Sequence, residues 1–291
     1  MPTPVAEAAG VSRVSSTLMT SISRERLRRL VRRPDADPAE AALLCCVEVD
    51  PDLDVDAALL RLDALADRLR TNGFTAEPPQ TAALQLAREL AGEQGFAGES
   101  ERYHDPDNAL ITRVLETKRG LPITLSIVYV AVAQRLGVPA FLVNLPGHVV
   151  VGLGDDSPPV LVDPFHGGEL LDEQSAAARV EQLTGGRLPF RRAMLRPAPT
   201  PMVVRRLLNN LTRDFERADR LADALWSVEL KLLLPNRHPD DHRDLGGLLH
   251  RLGRYDAAAE AYEAFLEATS TDAPGREEAR RAAIDARARM N

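Results

Sequence analysis

Side chains with chemical potential gather between residues 108 and 166. Thr124 and Ser126 stand near the start of an apolar run that opens at Pro122. A hydroxyl there can act as a nucleophile if an imidazole reaches it to take its proton. The alternative for Ser or Thr inside an apolar helix is a bond to a preceding carbonyl. Glu116 and Arg119 lie three apart in the pattern Leu-Glu-x-x-Arg-Gly-x-Pro. On one helix face they can pair. The pair is then either a helix-end salt bridge or an ion pair beside a pocket, with Arg119 offered to a small amide or carboxylate ligand. Asn108, like Thr124 and Ser126, is a candidate ligand contact beside Glu116 and Arg119, or else it caps the helix that it opens. His148, Asp163, His166 and Glu116 are metal-capable, but their spacing matches no compact ligand motif such as His-Glu-x-x-His. No metal and no other cofactor is expected, and His166, in a Gly-rich turn, is expected to be exposed.

Cys45 and Cys46 lie among Ala41, Leu43, Leu44 and Val47, with no cationic neighbour or helix N-terminus to activate a thiol. They read as small hydrophobes. With only 2 cysteines there is no disulfide framework and no Cys-rich zinc site, and a reducing cytoplasm is the natural compartment. The 291 residues carry a net charge of −7, which argues against a nucleic-acid binder. Aromatic residues at 4% are too few for base-stacking platforms. No apolar run approaches the ~18 residues of a membrane span. Residues 1–20 lack the apolar stretch of a secretory signal and read as a disordered tail. The segment 24–33 reads RERLRRLVRR. Its arginines form either an anion-contacting surface or the solvated face of a first helix, with Leu27, Leu30 and Val31 turned inward.

The elements that position these residues follow from periodicity. Helices are expected over 39–49, from 55 to about 71, over 81–90 and over 108–118. Pro122 opens a helix so apolar that it must be buried mid-domain. Short strands follow at 141–145, 148–153 and 160–162, with another at 169–171, at hairpin spacing. Residues 21–195 therefore read as one α+β domain, helical first and stranded last. The three prolines of 196–201 read as a linker. From residue 202 the chain is helical. Gly246, Leu249, Gly253, Tyr255, Ala258, Tyr262 and Phe265 fall at the spacings of one tetratricopeptide unit, with a weaker copy earlier around Ala222 and Trp226. Two hairpins do not stand alone, so this module at 202–291 must lean on the first domain or on a partner.

The stretch from Asn108 to Phe165 reads NALITRVLETKRGLPITLSIVYVAVAQRLGVPAFLVNLPGHVVV and then, after a turn, LVDPF. This resembles the bacterial SirB-type transglutaminase-like family, which joins a transglutaminase-like core to C-terminal tetratricopeptide repeats. The resemblance implies a papain-like or transglutaminase-like fold. In active relatives a cysteine opens the buried helix, a histidine lies on a following strand and an aspartate on the next. The thiolate attacks an acyl carbonyl, the imidazole shuttles the proton and the carboxylate fixes its tautomer. Carried over, His148 matches the histidine and Asp163 the aspartate. The cysteine position falls on Pro122, between Gly120 and the Gly137-Val138-Pro139 turn. Proline offers no nucleophile, so cysteine-dependent acyl transfer is not expected.

Two functions fit these residues. One is a non-enzymatic interaction protein whose core binds a peptide or small amide and whose repeats dock a protein or peptide partner. In it, His148 and Asp163 are vestigial or hold two strands together. The other is a non-cysteine amidase or peptide-modifying hydrolase, with His148 as general base on water and Asp163 orienting it. Contact between the two residues in an open cleft beside Glu116 and Arg119 would favour the enzyme.

Overall fold

The structure, a computed structural model, describes residues 18–155, 158–235 and 237–290. Most of the expected N-terminal tail lies outside the described residues, and 18–20 already form the first turn of helix α1 (18–30). Helices α2 (Pro38–Cys46), α3 (Val55–Thr71) and α4 (Pro79–Ala87) follow. Asp37 and Asp54 cap α2 and α3 by accepting from Ala39 N and Ala57 N. The arginines of α1 are held by acids of the same chain. Arg24 bonds Glu48 and Glu229, and Arg26 bonds Glu40 and Asp56. These contacts tie α1 to the elements beneath it.

A short parallel pair, β1 (Ala97–Gly98) and β2 (Arg119–Gly120), brackets helix α5 (Ile111–Thr117). Helix α6 (Pro122–Arg135) then runs through the centre of the molecule. Its first twelve residues, Pro122 to Ala133, are all buried, the signature of a helix apolar all round. Strands β3 (Ala140–Leu145), β4 (His148–Leu153), β5 (Val160–Asp163) and β6 (Glu169–Leu171) form an antiparallel sheet in chain order. Alternation sends Val149, Val151 and Val162 into the main core with α6. Val143, Val150 and Leu161 enter a smaller core under α7 (Glu173–Thr184).

Helices α8 (Thr200–Arg217), α9 (Leu221–Lys231), α10 (Asp240–Arg251), α11 (Tyr255–Ala268) and α12 (Arg276–Ala288) stack as successive hairpins. Gly246 of α10 is required by close approach: a Cβ there would lie 2.8 Å from the Tyr262 ring of α11. The α+β core followed by tetratricopeptide-like hairpins is as expected. The module does lean on the first domain, because α8 packs on α2 and α6 and the buried residues of both halves form one apolar cluster. The stretch expected as a linker is pinned rather than free. Pro197 bridges Val143, Ala198 N donates to Leu142 O at 2.9 Å, and Thr200 already belongs to α8.

Candidate functional site

His148 opens β4 after a turn in which Gly147 holds φ +77, and Asp163 ends β5 before Pro164. Three nitrogens converge on one oxygen, Asp163 Oδ2. His148 Nε2 lies at 2.8 Å, His166 Nδ1 at 2.9 Å and Arg179 Nη1 at 2.6 Å. The other oxygen, Oδ1, accepts from the backbone N–H of Phe165 at 3.1 Å and of His166 at 3.4 Å. Burial opposes ionisation of this carboxyl, but the hydrogen bond and charge of His148, with those of His166, hold it below the usual carboxylate range. An ionised carboxylate only accepts, so His148 donates through Nε2. Its Nδ1 has no hydrogen-bond partner among the described residues. Arg179 also reaches Glu169 at 3.2 Å, so one guanidinium fastens α7 to β6 and to the end of β5.

The pair is in contact, but it does not face an open cleft. His148 is 4% exposed and Asp163 0%. Phe165 stands edge-on to the His148 ring with centroids 6.1 Å apart, and Tyr103 stands edge-on to Phe165. Behind Asp163, the buried Tyr129 hydroxyl has no hydrogen-bond partner among the described residues, and burial together with the Asp163 charge pushes its ionisation upward. The ligand-capable atoms of His148, Asp163 and His166 lie within 4.8 Å of one another. However, Arg179 Nη1 stands 2.6 Å from both Asp163 Oδ2 and His166 Nδ1. A metal would have to displace that guanidinium.

The remaining sequence candidates fall elsewhere. The expected pairing of Glu116 with Arg119 does not form. Glu116 bonds Arg113 at 3.0 Å, because the helix ends at Thr117 and Lys118 turns left-handed at φ 61, which sends Arg119 into β2 as an exposed residue. Asn108 does not cap α5. It lies in the turn before it, and its Nδ2 donates to Arg102 O at 2.6 Å. Thr124 is buried and donates to Asn108 O at 2.8 Å and Leu121 O at 3.1 Å. Ser126, one turn after Pro122, donates to Val149 O at 3.3 Å, which sets the start of α6 beside the start of β4. Both hydroxyls are thus committed to carbonyls. Cys45 and Cys46 are buried, burial pushes both thiols up, and neither is a partner of His148.

Arg179 is the site residue that the sequence reading missed, because α7 was missed. Its signals were present: Asp172 accepts from Ser175 N at 2.7 Å, Ala176, Val180 and Thr184 recur every four residues on the buried face, and Gly185-Gly186 stops the helix. His166 is half exposed as expected, yet it shares the Asp163 oxygen.

Residues 56–209 match the model of the transglutaminase-like superfamily, and residues 214–288 match a tetratricopeptide-repeat model. The chain belongs to the transglutaminase-like superfamily. A UPF0162 protein of Xylella fastidiosa is 34% identical over 237 residues, covering 78% of this chain and 82% of its own. A UPF0162 protein of Vibrio cholerae is 26% identical over 62% of this chain and 67% of its own. Among solved structures, menin aligns with a TM-score of 0.43 at 15% identity, over 85% of this chain and 69% of menin. The two sequence matches meet inside α8, the helix that belongs to the packing of both halves.

Proposed function

We propose that this transglutaminase-like protein is a non-catalytic interaction protein. Its core keeps the His148–Asp163 pair as a fastener, and its helical hairpins dock a protein or peptide partner. One observation carries the reading: Pro122 stands where active relatives are expected to hold the nucleophile. The surroundings support it, since Asp163 is saturated by Arg179, His166 and two backbone donors. Two buried, unpaired thiols fit a reducing cytoplasmic setting. Stacked hairpins commonly bind extended partners on one face. A cavity of about 410 Å³ lined by Arg243, Leu248, Arg251, Tyr262 and Ala279 is a suitable seat for such a partner. The finer placement in the SirB-type group, with domains at 21–195 and 202–291, belongs to the same proposal.

The hydrolase reading has one observation in its favour, the Nδ1 of His148, which has no partner among the described residues and could accept a proton from water. The 4% exposure of that residue counts against it. Cross-linking mass spectrometry on the full chain in lysate separates the two. Partner cross-links should map to 202–290, fall on Arg251→Glu and survive His148→Ala. Cleaved or deamidated peptides that vanish with His148→Ala would overturn the proposal.

A further inference from the structure

Arg206 projects from α8 toward the first domain, next to the turn that carries His148. Its Nη1 donates to Asn144 Oδ1 and, at 2.7 Å, to Leu145 O at the end of β3. Among the described residues no carboxylate pairs with it. Its Nε and Nη2 edge has no acceptor there either. A partly buried guanidinium held only by neutral oxygens is costly, since its charge is desolvated and not compensated. Burial pulls it down to about 10. The surroundings are selective. The Tyr103 hydroxyl feels the charges of both Arg206 and Arg213, and its ring packs edge-on to Phe165, which in turn packs on His148. Arg213 is already neutralised: it forks onto Asp214 at 2.7 Å, and His104 shares that carboxylate at 2.9 Å. Among the described residues the junction is therefore left with one uncompensated positive charge and one free planar fork, near the Tyr103 hydroxyl.

We propose that this junction is a seat for a single carboxylate, taken by the Nε–Nη2 edge of Arg206 beside Tyr103. The free edge matches a carboxylate in bidentate geometry. One uncompensated charge matches a monoanion better than a phosphate, which carries nearly two negative charges at neutral pH. The carboxylate comes from a peptide, either at its C-terminus or on an acidic side chain. The seat lies where the core meets the helical module, so occupation would stiffen that junction. This deepens the binding role proposed above and replaces Arg119 with Arg206 as the anion-reading residue.

The test observes Arg206 itself. The Nε–H resonance of Arg206 in the full 291-residue chain is followed by NMR while four probes are titrated: N-acetyl-Ala-Ala, N-acetyl-Glu-amide, N-acetyl-Ala-Ala-amide and inorganic phosphate. Either carboxylate should shift the resonance saturably, and the tighter of the two names the source. The carboxamide should not shift it. Arg206→Lys keeps the charge but loses the fork, and should bind the better carboxylate about tenfold more weakly. The proposal is overturned if no carboxylate gives a saturable shift, if the carboxamide gives the same shift, or if phosphate binds more tightly than either carboxylate. The wild-type titration decides the matter even if the variant does not fold. Its failure would leave the partner cross-links untouched, so the two proposals fail separately.

Discussion

Asp163 gathers five donor groups from four residues, and its ionisation is coupled to folding. Its carboxyl titrates lower in the folded chain than in the unfolded one, so the charged form contributes stability in full above about pH 4. That contribution is lost as the pH falls through the folded value. Removing Arg179 leaves a buried carboxylate with only the two imidazoles and the backbone donors. Arg179→Met is expected to cost about 2 kcal/mol at neutral pH, measured by urea unfolding. The difference from wild type should shrink below about pH 4 as the carboxyl protonates. A pH-independent difference would mean that Arg179 acts through packing alone. Tyr129 poses the opposite case, a buried hydroxyl without a partner among the described residues. Tyr129→Phe should leave stability unchanged or raise it by about 1 kcal/mol. A clear loss would show that the hydroxyl is satisfied after all. At this scale the sequence was readable for the contact of His148 with Asp163, which stand at the start and end of neighbouring strands. It was not readable for Glu116 and Arg119, because a single left-handed residue, Lys118, redirects the chain between them.

Helices and strands with strong patterns were legible to within a few residues. The all-buried α6 and the short strands after it are where apolar runs and Gly-Pro punctuation put them. Helix α7 escaped because its apolar face is narrow, with only Ala176 and Val180 as buried hydrophobic residues, and Arg179 was lost with it. The pairing of α10 with α11 offers a sharp test of packing. Ala at 246 would force its Cβ to 2.8 Å from the Tyr262 ring, whereas a Cβ at 247 meets only the Tyr262 hydroxyl at 3.9 Å. Overpacking costs roughly 1–3 kcal/mol, and replacing a helical glycine by alanine gains up to about 1 kcal/mol. Gly246→Ala should therefore lower stability by about 1 kcal/mol, and Gly247→Ala should raise it by about as much. Equal shifts in thermal melting for the two variants would contradict this packing.

For the whole molecule, the core and the helical module are two family matches but one apolar cluster. Arg24 bridges Glu48 and Glu229, Asp214 holds His104, and Thr200 donates to Ala36 O at 2.7 Å. The sequence signalled that two hairpins would need support, but not that α8 would supply it, because no periodicity encodes which surface a helix leans on. Calorimetry should show one cooperative unfolding transition, and two separated transitions would argue for independent domains. The central proposal is that this transglutaminase-like core, with Pro122 opening its buried helix, carries no activated nucleophile. The direct measurement is intact-mass spectrometry after incubation with an activated acyl donor, such as a glutamine peptide presented as its p-nitrophenyl ester. Unchanged mass in the wild type and in His148→Ala is the predicted result. An acyl-thioester adduct on Cys45 or Cys46 that disappears in His148→Ala would contradict the account.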